Sequence, residues 1–169
     1  LAMALLLYTG VRRSDAVRLG PSMEHDGELH FTETKGAKAK TRKRGLGPKH
    51  RELPILPQLR AVFDATTLGA PTYLVTEFGK PFSPAGFGNR FRKWCDEAGL
   101  THCSAHGLRK AGATIAAENG ATEHQLMSMY GWESPKQAAL YTRKVNRHRL
   151  ARDAMHLLVP TVPLSGPEQ

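Results

Sequence analysis

The chain has 169 residues, of which 40% are hydrophobic, and its formal net charge is +9. This length supports one sizeable core rather than two comfortable domains. Two cysteines are too few for a disulfide scaffold and suit a reducing cytosol. The opening segment, LAMALLLYTG, is apolar without a starting methionine, a basic segment or a cleavage site, so we expect neither a signal peptide nor a membrane-spanning helix there. It predicts a helix cut open within its length, so we expect a preceding domain to be missing.

The first third of the sequence predicts two short helices and a hairpin. Helix formers end at Thr9-Gly10, and Ser14 with Asp15 suits the first turn of a second helix. Residues 27–34, GELHFTET, alternate as a strand does, and RELPILP, from residue 51, is its predicted partner. The long segment between them is expected to be an extended, mobile connection.

The remainder is predicted to be mostly helical. A helix follows in QLRAVFDATT, then a brief strand with turns, and another helix from Ser83-Pro84 to Gly99. Further helices are expected over residues 107–118, 123–129, 135–141 and 146–157. The tail, 159–169, is rich in proline and polar residues and is expected to be flexible. The predicted fold class is therefore α+β, mostly helical, with a small antiparallel sheet at one edge.

Lysine and arginine are concentrated in two clusters. Residues 35–51 hold eight basic residues and no acid, and a second cluster follows residue 141. Such densities attract phosphate groups and release counterions when nucleic acid binds. The alternative is a solvated loop and an exposed helix face. DNA contacts are predicted for Arg13, Lys38, Lys40, Arg42, Lys43, Arg44, Lys110, Arg143 and Lys144.

Several polar residues at predicted helix ends suit metal-free phosphodiester transfer. Two guanidinium groups can bind nonbridging oxygens, and a tyrosine hydroxyl beside cations and a base can attack phosphorus. His106 could accept the proton, and a lysine could protonate the leaving oxygen. No acidic cluster predicts a magnesium site, and His102, Cys103 and His106 lack the second ligand pair that a closed zinc site needs. Taken singly, each residue has a structural alternative, such as a packed aromatic or a helix cap beside a solvated arginine.

Five segments in order resemble the catalytic domain of the tyrosine recombinases, the phage integrase family. They are TGVRRSD, TKGAK, HGLRKAG, YGW and LYTRK. The resemblance covers residues 1 to about 158 and leaves 159–169 as the tail. It implies that the missing N-terminal region is a helical domain gripping the other face of the DNA.

The resemblance also implies roles for individual residues. Arg12 and Arg109 would be the two phosphate-binding arginines, and His106 their proton-transfer partner. Tyr141 would be the nucleophile, giving a 3′-phosphotyrosine and a free 5′ hydroxyl.

Three further positions are implied less directly. Lys35 resembles the hairpin lysine that protonates the 5′ oxygen, although the long connection leaves a nearby lysine open. Trp132 stands where most members have histidine, and its indole N–H can donate a hydrogen bond but cannot exchange a proton. Asp15 matches an acidic residue expected to support the site by hydrogen bonds.

The implied activity is site-specific recombination or integration, without a cofactor, by a tetramer on two DNA segments. The fragment alone could be monomeric, and residues 146–169 could dock on a neighbouring subunit. The expected location is the bacterial or phage-infected cytoplasm, at the nucleoid. Two alternatives remain open: a type IB topoisomerase-like enzyme, and a catalytically silent DNA-binding regulator of the same fold.

Overall fold

The computed structural model describes residues 1–34, 49–143 and 147–159. The first part contains α1 (Ala2–Thr9), α2 (Arg13–Ala16), a 3-10 turn (Pro21–Met23) and strands β1 (Glu24–His25), β2 (Glu28–Thr32) and β3 (His50–Pro54). The other helices are α3 (Pro57–Asp64), α4 (Pro84–Glu97), α5 (Ala105–Glu118), α6 (Glu123–Tyr130), α7 (Pro135–Thr142) and α8 (Arg147–Ala154), followed by a 3-10 turn (Met155–Leu158). The mostly helical α+β class with a small antiparallel sheet is confirmed.

The helix boundaries follow local capping. Helix α5 begins at residue 105, two residues before the expected start, because the Ser104 side chain accepts a hydrogen bond from the Gly107 amide. A capping box between Thr122 and Gln125 starts α6 as expected. The strand β1 was not predicted, since two residues are too few to show an alternating pattern. The connection, 35–48, and the tail beyond residue 159 lie outside the described residues.

The three strands form an antiparallel sheet in the order β1, β2, β3. Leu29 pairs with Leu53 and Phe31 with Arg51, which places these four residues on the inner face. Leu29 and Phe31 are buried there. The opposite, outer face carries His30, which pairs with Glu52.

Two hydrophobic clusters lie side by side. The larger cluster contains residues from α1, the sheet, α3 and α4, and the smaller one is formed by α5, α6 and α7. Helix α1 packs against α5, where a Cβ at Gly112 would lie 2.7 Å from the Tyr130 hydroxyl. Among the described helices, none combines the length and apolar character of a membrane-spanning segment.

Gly10, the residue directly after α1, lies in close contact with Tyr130 of the smaller cluster. Its φ is +58°, and a Cβ built there would lie 2.3 Å from Cε1 of Tyr130. At Gly27 φ is +79° but no atom lies within 4 Å of such a Cβ. We expect Gly27→Ala to cost only the left-handed conformation, about 1 to 2 kcal/mol. Gly10→Ala should cost at least about 1 kcal/mol more, since overpacking is added.

Urea denaturation of both variants measures this difference in the free energy of unfolding. Equal losses in the two variants would show that Tyr130 moves aside without cost.

Candidate active site

An open groove of about 580 Å³ lies where the start of α2, the start of α5 and one side of α4 meet. Its charged lining is basic, and no acidic side chain occurs among the described residues that line it. The basic lining residues are Arg12, Arg13, Arg92, His106 and Arg109. Three of the predicted catalytic residues are thus brought together in one groove suited to an anion.

Arg12 is held in the groove by a buried carboxylate. It precedes α2 directly, and its Nη1 donates to Oε2 of Glu33 at 2.5 Å. The other oxygen of Glu33 accepts from Nη1 of Arg51 at 3.1 Å. Glu33 is only 2% exposed and therefore bridges the two guanidinium groups in a setting of low dielectric constant.

Arg109 fixes two helix ends while lining the groove. Its Nη1 donates to the Gly10 carbonyl at the end of α1, and its Nη2 donates to the Tyr130 carbonyl at the end of α6, at 2.6 Å. Burial, assisted by the charges of Arg12 and Arg51, lowers the pKa of Arg109 to about 10. The side chain therefore stays charged at neutral pH, and a guanidinium has five N–H groups, so others remain for a ligand.

His106 lies in the first turn of α5. Burial lowers the pKa of His106, and the positive charges of Lys110, Arg109 and Arg12 lower it further. Its imidazole is therefore neutral at physiological pH and able to accept a proton.

If His106 is the proton acceptor in DNA cleavage that the family resemblance implies, its lowered pKa predicts an unusual pH dependence of that reaction. A neutral base is required, so the cleavage rate should hold as the pH falls to about 6.5, the ordinary histidine value, and decline only below it. The readout is the single-turnover cleavage rate of nicked DNA against pH.

The variant His106→Gln should be slow and lack this acid limb. His102→Gln, at an exposed position in a turn, should keep the wild-type profile. An unchanged limb in His106→Gln would assign the titration to another group.

Three aromatic rings form a continuous stack beside Arg109. The ring centroids of Tyr130 and Trp132 are 4.9 Å apart, and those of Trp132 and Tyr141 are 5.3 Å apart with planes within 9°. The guanidinium carbon of Arg109 lies 5.2 Å from the Tyr130 ring centroid and 5.8 Å from that of Trp132. The stack thus connects Tyr141, in the last turn of α7, to an arginine of the groove. The packing role of Trp132 is visible, whereas its phosphate contact stays a prediction.

Asp15 binds Thr34, which lies at the start of the segment that connects β2 to β3. The side chain is buried, and its Oδ1 accepts from the amide of Thr34 at 2.8 Å and from the Thr34 hydroxyl at 2.7 Å. Thr34 directly precedes Lys35, so these hydrogen bonds fix the point from which that lysine departs. Lys35 itself lies outside the described residues, as do Lys38, Lys40, Arg42, Lys43, Arg44 and Lys144.

Three of the residues predicted to contact DNA are among those that the structure describes, and they lie at separate positions. Arg13 lines the groove and packs on α4, where a Cβ at Gly88 would lie 2.2 Å from its Nη1. Lys110 is exposed one turn after His106, and Arg143 is exposed after α7. Their contacts with DNA stay predictions.

Three residues that support the site were missed in the sequence. Besides Glu33, Arg51 is buried and donates to the carbonyls of Thr9 and Met129. Lys49 binds the Gly131 carbonyl at 2.7 Å. The alternation of Leu29 and Phe31 continues to Glu33 and would have indicated that it points inward.

The chain matches one protein family and one curated relative. The family model described as "Phage integrase family" matches residues 1–148. The chain belongs to the phage integrase family. Tyrosine recombinase XerC 2 of Ralstonia nicotianae (strain ATCC BAA-1114 / GMI1000) is 30% identical, over 92% of this chain and 46% of the relative. The chain thus spans about half the length of that curated relative.

Solved structures of integrases and recombinases share the fold. The Tn1549 transposon integrase, in complex with a circular intermediate DNA, matches with a TM-score of 0.67 and 17% identity over 93% of this chain and 57% of that one. XerA recombinase matches with a TM-score of 0.62 and 18% identity over the same shares. A lambda integrase dimer bound to a core site matches with a TM-score of 0.65 and 21% identity, over 83% and 41%.

Proposed function

We propose that this domain breaks and rejoins DNA through a covalent phosphotyrosine intermediate, in site-specific recombination or integration. The observation that carries the proposal is the basic groove that gathers Arg12, His106 and Arg109. The aromatic stack runs from the same Arg109 to Tyr141. Membership of the phage integrase family supports the activity, and the named relatives are recombinases and integrases.

The first step is the binding of one phosphodiester in the groove. Arg12 and Arg109 donate hydrogen bonds to the nonbridging oxygens, whose negative charge grows in the transition state. Both guanidinium groups are already held by protein acceptors, so little ordering is needed when the phosphate arrives.

The second step is the transfer of the phosphoryl group to the protein. The Tyr141 hydroxyl oxygen attacks phosphorus and forms the 3′-phosphotyrosine, while the bond to the 5′ oxygen breaks. His106 takes the tyrosine proton, and a lysine, assigned to Lys35, protonates the leaving 5′ oxygen. The phosphodiester energy is retained, so attack by a 5′ hydroxyl from another strand rejoins the DNA without a nucleotide cofactor.

The proposed partners are double-stranded DNA and further copies of the same protein. The Tn1549 integrase and the lambda integrase were solved with DNA, the latter as a dimer. We propose a tetramer on two DNA segments. Because the formal net charge is +9, we expect the affinity for DNA to fall steeply as the salt concentration rises.

A nicked duplex tests the proposed function directly. The full-length protein is incubated with duplexes from the sequence flanking its own gene, each nicked so that the cleaved strand releases a short oligonucleotide and cannot rejoin. We expect a covalent adduct whose DNA-bearing peptide contains Tyr141. Salt-sensitive binding without an adduct on any duplex would favour the silent DNA-binding regulator. An adduct with supercoil relaxation but no recombinant joints would favour the topoisomerase-like enzyme.

A further inference from the structure

The outer face of the sheet carries three histidines, one from each strand. The ring centroids of His25 and His30 are 5.4 Å apart, and those of His30 and His50 are 6.3 Å apart. Glu52 lies among them, with its Oε1 at 3.8 Å from Nδ1 of His30 and 3.6 Å from Nε2 of His50. None of these groups lines the basic groove, and the proposed reaction uses none of them.

We propose that this face binds one divalent transition-metal ion, zinc or a similar ion, through His30, His50 and Glu52. One ligand atom from each of these residues lies within 4.8 Å of the other two. Tetrahedral zinc, with ligands at about 2.0 to 2.2 Å, requires ligand atoms about 3.4 Å apart. Binding therefore requires these partly or fully exposed side chains to rotate until the three atoms approach that separation.

The backbone places these ligands with little freedom. His30 is directly opposite Glu52 in the antiparallel ladder, and His50 lies two residues away on the same face of β3. Diagonal neighbours of this kind are within reach of long side chains. The sheet therefore brings the site together before any metal arrives, which lowers the ordering cost of binding.

The ligand types select the class of ion. Two imidazoles and one carboxylate suit zinc, copper or nickel, whereas magnesium and calcium prefer oxygen ligands alone. Three protein ligands leave at least one position for water, since the site lies on an open face. The sequence indicated no metal site because residues 20 apart meet only through the pairing of β2 with β3.

A bound ion would link β2 to β3 near the strand ends that their long connection joins. The inner face of the same two strands carries Phe31 and Arg51, and Glu33 follows β2 directly. Metal binding at the outer face would thus stabilise the strand pair that leads into Glu33, the partner of the groove residue Arg12.

Metal titration of the untagged, full-length protein tests this inference. Zinc is titrated in competition with a chromogenic chelator, and cobalt is followed by its visible absorption. We expect one ion per chain, and affinity reduced about tenfold or more in His30→Ala and in His50→Ala. His102→Ala is the control and should bind as the wild type does, since residue 102 is far along the chain in a separate turn.

The cobalt titration also distinguishes this site from a site with a cysteine ligand. The cobalt spectrum of the outer-face site should lack a thiolate charge-transfer band, whereas binding at Cys103 with His102 would show one. Thermal unfolding in chelator confirms that each variant folds. Equal affinity in the wild type, His30→Ala and His50→Ala, or no zinc binding in competition with the chelator, would overturn the proposal.

Discussion

Replacing Tyr141 with phenylalanine should lower formation of the proposed covalent protein–DNA adduct by at least about a thousandfold, because the oxygen that we propose attacks phosphorus is lost. The phenylalanine ring keeps the stacking contact with Trp132. The two arginines proposed to bind phosphate, Arg12 and Arg109, are untouched, so DNA affinity should be nearly unchanged. Adduct formation on nicked duplex and binding in a gel-shift assay measure the two quantities separately.

Tyr8→Phe is the matched control for that experiment. Tyr8 lies on α1 and is 39% exposed, so the same loss of a hydroxyl there should leave the adduct intact. An adduct that persists in Tyr141→Phe would place the nucleophile elsewhere. Loss of both cleavage and binding would mean that the tyrosine hydroxyl maintains the structure of the site rather than attacking DNA.

Replacing Glu33 with glutamine should reduce the free energy of unfolding by about 3 to 5 kcal/mol, the usual cost of breaking a buried ion pair. The carboxylate bridges Arg12 and the buried Arg51. A glutamine has one acceptor oxygen, and its amide hydrogens would face the second guanidinium. Two arginines would then be left close together without a compensating charge.

Glu97→Gln provides the control for the same chemical change at the surface. Glu97 is exposed and pairs with Lys93 one turn away on α4, at 3.8 Å. Its replacement should cost less than about 1 kcal/mol. Urea denaturation at one pH and salt concentration compares the two variants. Similar losses would mean that Arg12 and Arg51 find other partners, or water, when the carboxylate charge is removed.

Features that depend on neighbours in the chain were accessible from the sequence. The stop at Thr9-Gly10 is realised as a left-handed glycine, and Ser83-Pro84 starts α4 as expected. The alternation in residues 27–34 correctly indicated a strand paired with the segment from residue 51. The groove residues Arg12, His106 and Arg109 were found through short motifs, which local spacing preserves.

Features that depend on pairing across the fold were not accessible. Arg51 was interpreted as part of a basic cluster, although it is buried against Glu33. The alternation of the strand could have indicated that Glu33 points inward, but nothing in the sequence indicated that Arg51 would meet it there. The hydrogen bonds of Arg109 to the ends of α1 and α6 likewise need the tertiary arrangement.

If Arg109 binds DNA phosphate as proposed, its position couples DNA binding to the cohesion of the two hydrophobic clusters. It lies on α5 between Ala105 of the larger cluster and Ala113 of the smaller one. Its guanidinium donates to one carbonyl after α1, that of Gly10, and to one at the end of α6, that of Tyr130. If α6 and α7 move away from α1, Arg109 cannot keep both acceptors, and the proposed phosphate-binding side chain loses its fixed position. A separation of the clusters would therefore silence the enzyme while each half keeps its helices, and bound DNA would oppose that separation by the free energy of its own binding.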